Sequence, residues 1–315
     1  MKNSYKILKY ILVCTLFVAC KPYSNLPVVD SMNDLQYPFP VKKTLLSNDI
    51  EIAYIDEGQG SETILFVHGL GSYAPAWKKN IEELKSSYRC IAIDLPGYGK
   101  SSKGNYEGSM TFYAEIIKEL IGKLGLEKVN LAGHSMGGQI SIVTSLFYPE
   151  VVDKLILIAP AGFETFNEGE KDWFRGIFTS AAVQLTPPEQ IELNYAYNFY
   201  DMPEDARFMI EDRIAMRSAK DFNGYTFIIP ENVKGMVNEP VFDKLPNLQQ
   251  ETLIFFGQYD NLIPNRFLNG GKTEKIAIAG HQQIPNSKLV MVPKAGHFVM
   301  FEQSELVNQR IREFL

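Results

Sequence analysis

Cysteine, histidine and basic charge are all scarce in this chain of 315 residues, and each scarcity closes off a class of function. Three cysteines (Cys14, Cys20, Cys90) are too few and too scattered for a disulfide framework or a cysteine-rich zinc site. Four histidines (His68, His134, His281, His297) include no pair at i, i+4 helical spacing and no accompanying acid cluster, which argues against a metal site. Lys and Arg number 31 against 37 Asp and Glu, a formal charge of −6, so no global basic field exists to hold a nucleic-acid backbone. The apolar run Tyr10–Ala19 is about half of the ~20 residues that a bilayer-spanning helix needs. What the chain does have is 45% hydrophobic residues, enough for a large core. Its length allows two domains or one large α/β domain carrying an insertion.

The first residues carry Lys2, Lys6 and Lys9 with no acid before the short apolar run, the pattern of an export signal over residues 1–19. The run ends in Phe17-Val18-Ala19-Cys20, which resembles the lipobox of bacterial lipoproteins, although Phe17 stands where Leu is usual. That resemblance implies cleavage before Cys20, lipidation of Cys20 and a membrane-anchored, extracytoplasmic protein; an ordinary signal peptide with an incidental Cys20 is the alternative. Loss of the three lysines would move the formal charge from −6 to −9, so attachment would rest on acyl chains rather than on a basic surface. Residues 20–40, with Pro22, Pro27, Pro38 and Pro40, are expected to form an extended tether.

Beyond it, strand and helix patterns alternate. Ile50–Ile55 alternates apolar and polar and is expected as an antiparallel edge strand. Thr63–Val67 and Lys154–Ile158 are runs of buried-strand type, and Cys90–Ile93, Lys128–Ala132, Thr252–Phe256 and Lys288–Val292 are further expected strands. Helical patterns separate them, at about 75–85, 110–124, 136–148, 273–282 and 304–315. This predicts a mostly parallel sheet with helices on both faces, formed by residues 41–161 and 249–315. The aromatic- and Met-rich stretch 162–248 is expected to be a helical insertion.

The chemistry-bearing residues follow predicted strands. Gly133-His134-Ser135-Met136-Gly137 puts Ser135 in a strand-to-helix turn, flanked by residues small enough for a sharp backbone. The Met136 amide then sits at a helix amino terminus, where a negatively charged oxygen is favoured. A serine hydroxyl needs a base, and the base a carboxylate. Asp260 follows Thr252–Phe256 and His297 follows Lys288–Val292, so the chain order is nucleophile, acid, base. Asp153 precedes its strand, at the wrong edge of the sheet. His68-Gly69-Leu70-Gly71 follows the first buried strand and offers the Leu70 amide as a second oxyanion donor. His68, Gly69 and His134 are expected to support these loops, and His281 to lie on a helix surface. Gly99-Lys100-Ser101 imitates the end of a phosphate-binding loop, but Asp94 stands where that loop needs Gly.

With these motifs in place, the sequence from about residue 40 to 315 resembles the α/β-hydrolase superfamily, including the loop Asp94-Leu-Pro-Gly-Tyr-Gly-Lys-Ser101. The resemblance implies an α/β-hydrolase fold with a helical cap over 162–248. It makes Ser135, Asp260 and His297 the triad, and Leu70 and Met136 the oxyanion donors. Two departures stand out: 37 positions separate Asp260 from His297, with the excess at 265–271, and Ser304 replaces a Pro frequent after Glu302. The function implied is a serine hydrolase needing no cofactor, acting on a small or medium ester with an apolar acyl or aromatic portion. Carbon–carbon bond hydrolysis, encouraged by Ala159–Gly162 but not by Phe298 beside the histidine, is an alternative, as are lipase or acyltransferase chemistry. Dehalogenases and epoxide hydrolases of this fold use an aspartate where this chain has Ser135. A non-catalytic ligand-binding protein on the same fold is the alternative of a different class.

Overall fold

The computed structural model describes Tyr23, Leu26 and residues 28–315. The expected signal segment, residues 1–19, and Cys20 lie outside the described residues. Eight strands form one sheet: β1 (Val41–Leu45), β2 (Glu51–Glu57), β3 (Thr63–Val67), β4 (Arg89–Ile93), β5 (Val129–His134), β6 (Val152–Ile158), β7 (Thr252–Gly257) and β8 (Ser287–Val292). Their spatial order is β1-β2-β4-β3-β5-β6-β7-β8. The β1–β2 and β2–β4 pairs are antiparallel and all others parallel. The helices are α1 (Lys78–Leu84), α2 (Met110–Lys123), α3 (Met136–Phe147), α4 (Glu168–Ile177), α5 (Ser180–Leu185), α6 (Pro188–Ala196), α7 (Arg207–Ala215), α8 (Phe222–Asn238), α9 (Thr273–Gln283), α10 (Val299–Glu302) and α11 (Ser304–Phe314).

Every residue of β3, β5 and β7 is buried, as expected of parallel strands covered on both faces. Helix α2 shows how local sequence sets an element. The Ser109 hydroxyl caps it by accepting from the Phe112 amide at 3.0 Å. Met110, Tyr113, Ala114, Ile117, Leu120 and Ile121 supply its buried face at helical spacing. Gly125, at φ 67°, ends it, with the Leu126 amide donating back to the Ile121 carbonyl. Cys90 is buried in β4 as a free thiol.

The parallel register aligns the carboxyl ends of the strands: Val67 lies beside Gly133, His134 beside Ile158, and Gly257 beside Val292. The turns after β3, β5, β7 and β8 therefore converge on one edge. Between β6 and β7 the chain leaves the sheet as α4 to α8.

Two expectations are corrected. The antiparallel edge of the sheet is β1, not the strand at Ile50–Ile55, which pairs on both sides. Strand β1 (VKKTL) has two exposed lysines, a composition that protects an open edge and gives almost no apolar signal. The tether expected over residues 20–40 is replaced, from Val28 onward, by a packed strap. Val29, Met32 and Leu35 are buried in the core. Ser218 Oγ accepts from the Val29 amide (3.1 Å) and donates to its carbonyl (3.0 Å), and the Met32 amide donates to Asp221 (2.9 Å). Farther along, the Tyr37 hydroxyl donates to Asp94 at 2.6 Å. Three apolar side chains with buried counterparts turn a proline-rich stretch from a linker into part of the fold.

Candidate active site

Ser135 closes β5 and opens α3 with φ 53° and ψ −118°, a conformation disfavoured for a side chain bearing Cβ. The turn is pinned from three sides. The Ser135 amide donates to Ile158 O at 3.0 Å, and its carbonyl accepts from Gly138 (2.9 Å) and Ala161 (3.0 Å). Glycine is required nearby, because a Cβ on Gly137 would sit 2.3 Å from the Val67 carbonyl oxygen. The Met136 and Leu70 amides donate to no acceptor among the described residues.

His297 Nδ1 lies 2.7 Å from Asp260 Oδ2, with the imidazole 3% and the carboxylate 0% exposed. The second oxygen, Asp260 Oδ1, accepts from the amides of Leu262 (2.8 Å) and Ile263 (3.1 Å). Holding the proton on Nδ1 leaves Nε2 as the basic nitrogen. Ser135 and His297 line the same cavity.

His68 lies in the loop that carries Leu70, and His134 ends β5 immediately before Ser135. His68 is fully buried; its Nε2 accepts from the Leu95 amide at 3.1 Å, so Nδ1–H donates to Gly69 O at 2.8 Å. His134 is 2% exposed and its Nε2 donates to the His297 carbonyl at 3.0 Å. Burial, then the neighbouring His297, pushes its pKa well below the usual imidazole range, and burial lowers that of His68. Both hold loops through these hydrogen bonds. A Cβ on Gly69 would lie 3.0 Å from His134 Nδ1, so glycine lets the two loops touch. His281 is on α9, half-buried, with Nδ1 2.7 Å from Ser287 Oγ. Asp153 is exposed at the amino end of β6, and no group of three or more metal-ligating side chains occurs among the described residues.

The cavity has two lobes that share Leu70, Ser135, Phe178, Met236, Leu262 and His297. One is apolar, walled by Phe166, Phe174, Val233, Val237 and Ile263. Glu164 borders it, accepting from the Asn265 amide (2.9 Å) and Asn269 Nδ2 (2.9 Å); this carboxylate anchors the long loop after Asp260. Burial raises the Glu164 pKa despite those donors.

The other lobe contains Arg213 of α7, with Tyr195, Asn198 and Tyr225. Arg213 is 6% exposed and forms no salt bridge among the described residues. Nη2 donates to Val183 O at 3.2 Å while buried Nη1 has no protein partner. The guanidinium lies 5.2 Å from the Phe222 ring centroid and 5.1 Å from that of Tyr225. Sequence reading passed over both Arg213 and Glu164, since neither sits in a motif.

Comparisons with known proteins bear on the family and the fold. A sequence profile described as alpha/beta hydrolase fold matches residues 62–304. A 2-hydroxy-6-oxononadienedioate/2-hydroxy-6-oxononatrienedioate hydrolase from Pseudomonas putida is 31% identical over 281 residues, 85% of this chain and 92% of that protein. A thermophilic esterase from Thermogutta terrifontis is 28% identical, with a TM-score of 0.68 over 87% of this chain and 97% of the other. A probable hydrolytic enzyme from Pseudomonas aeruginosa PAO1 shares the fold with a TM-score of 0.81, covering 91% and 98% of the two chains at 24% identity. With its eight-stranded, mostly parallel sheet and its matched profile, the chain belongs to the α/β-hydrolase superfamily of enzymes.

Proposed function

We propose that the protein is a serine hydrolase that cleaves carboxylic esters through an acyl-enzyme. The observation that carries this reading is Ser135, held in a strained turn, sharing a cavity with a His297 whose Nδ1 is bound to buried Asp260. Ser135 Oγ attacks the carbonyl carbon as His297 Nε2 takes its proton, and the Leu70 and Met136 amides stabilise the oxyanion. His297 returns the proton to the leaving alcohol. Water, activated by the same nitrogen, then releases the acid. The apolar lobe suits an acyl or aromatic portion. The test is turnover of 4-nitrophenyl esters of increasing chain length, with fluorophosphonate labelling, by wild type and Ser135→Ala. Wild type should turn over and label, and the variant should do neither; an inert, unlabelled wild type would leave a non-catalytic binding protein as the better reading.

Arg213 favours a second reading, carbon–carbon bond hydrolysis of a substrate bearing a carboxylate, as in the dienedioate hydrolase relative. A buried guanidinium with an unpartnered Nη1 is stabilised by an anion. If the substrate is acidic, Arg213→Gln raises its KM about 10- to 100-fold, the loss of a hydrogen bond to a charged group. Neutral esters should be unaffected. Comparing a 2-hydroxy-6-oxo-dienoate with the ester panel on wild type decides between the readings.

Export and lipid anchoring through Cys20 complete the proposal. They are supported by the basic and apolar pattern ahead of Cys20. No helix among the described residues is long and apolar enough to cross a membrane. Lipid labelling in a bacterial host should vanish in Cys20→Ser, and persistent labelling would refute the anchor.

A further inference from the structure

Glu302, at the end of α10, does not line the cavity, yet its carboxylate joins two pieces of chain that meet at His297. Oε2 accepts from the Gly296 amide at 2.8 Å and the Tyr200 amide at 3.1 Å, and Oε1 accepts from the Asp201 amide at 2.6 Å. Gly296 immediately precedes His297, whereas Tyr200 and Asp201 belong to the insertion after α6. The same stretch supplies the Asn198 carbonyl, which accepts from the amides of His297 (2.7 Å) and Phe298 (3.1 Å). The Phe199 ring stacks on Phe298 at 5.1 Å. Contact is backbone on backbone: a Cβ on Gly296 would fall 2.6 Å from the Phe199 carbonyl carbon. The stretch also meets the turn that carries Asp260, through Asn261 Nδ2 donating to Tyr197 O (3.2 Å) and the Tyr200 ring against Tyr259 (4.5 Å).

We propose that Glu302 is a positioning residue, whose carboxylate clamps residues 200–201 of the insertion to Gly296 and thereby fixes how His297 is presented to Ser135. The insertion then does two things: it covers the cavity and it holds the base. The inference rests on the reading of Ser135 and His297 as nucleophile and base. Charge-assisted bonds to three amides are short and directional, and a neutral amide in place of the carboxylate cannot accept on both oxygens.

The experiment compares Glu302→Gln with wild type in the full chain, by rate of fluorophosphonate labelling at Ser135, by kcat and KM for 4-nitrophenyl acetate, and by thermal midpoint. A displaced base lowers the labelling rate and kcat about 10- to 100-fold, with KM and the folded fraction near wild type. Asp201→Pro, which deletes the amide that donates to Glu302 Oε1 at 2.6 Å and leaves the Glu302 carboxylate in place, should slow labelling less than Glu302→Gln. It also decides the matter if Glu302→Gln does not fold. Wild-type labelling rates in folded Glu302→Gln, or in Asp201→Pro when that variant must decide, overturn the clamp and leave the hydrolase reading intact. A wild type that does not label at all overturns both.

Discussion

Asp212 and Arg213 are neighbours in sequence that turn to different partners. The Asp212 carboxylate accepts from the Tyr73 hydroxyl at 2.5 Å, and burial pushes its pKa up to about 6. In the unfolded chain the same group ionises near pH ~4. Between those two values the folded protein keeps a proton that the unfolded chain has lost, so stability falls as pH rises from about 4 to about 6, then levels off. Asp212→Asn carries no charge at any pH and can still accept from Tyr73. Its thermal midpoint should match wild type near pH 4 and exceed it from pH 6 upward; a difference that does not change with pH would refute this. The same contrast explains which residues the sequence exposes. Ser135, Asp260 and His297 each follow an apolar run within a short turn, so their placement is a local property. Arg213 is different: its burial depends on Phe222 and Tyr225, which arrive from the next helix, and nothing in Arg-Phe-Met-Ile-Glu-Asp-Arg marks that contact.

At the scale of elements, glycines separate the parts under close contact from those with slack. A methyl group on Gly137, at the start of α3, meets the Val67 carbonyl at 2.3 Å, whereas one on Gly122, near the end of α2, meets nothing within 4 Å. Gly122→Ala should therefore raise stability by about 0.5–1 kcal/mol, the usual gain of alanine over glycine in a helix, read as a higher midpoint in urea. Gly137→Ala must push β3 away from α3 and is expected to lower both the midpoint and Ser135 labelling. Equal behaviour of the two variants would show that the elbow tolerates relaxation. Buried strands and α2 announce themselves by continuous apolar runs or helical periodicity. Strand β1 does not, since an edge strand needs only backbone pairing on one side. The two ion pairs that steady it, Lys42 with Asp56 and Lys43 with Glu51, span a hairpin that composition alone does not reveal.

For the whole molecule, the strap before β1 matters beyond its length. Met32 and Leu35 are 0% and 2% exposed, and burying an apolar side chain contributes about 1.5–3 kcal/mol each. Deleting residues 1–40 should thus lower the thermal midpoint clearly, while deleting residues 1–27 should change it much less; matching midpoints would mean that the strap contributes nothing. Its packing was illegible because its partners, Asp94, Ser218 and Asp221, lie far along the chain. The order of those partners has a mechanical result. Reading inward from residue 28, the strap meets Ser218, Lys220 and Asp221 beside α8 first, and Asp94 of the core only afterwards. Traction on the amino terminus is therefore borne in series, first by the cover over Ser135 and then by the sheet. Under load the strap would peel from the cap end, like a seam opened from its loose thread.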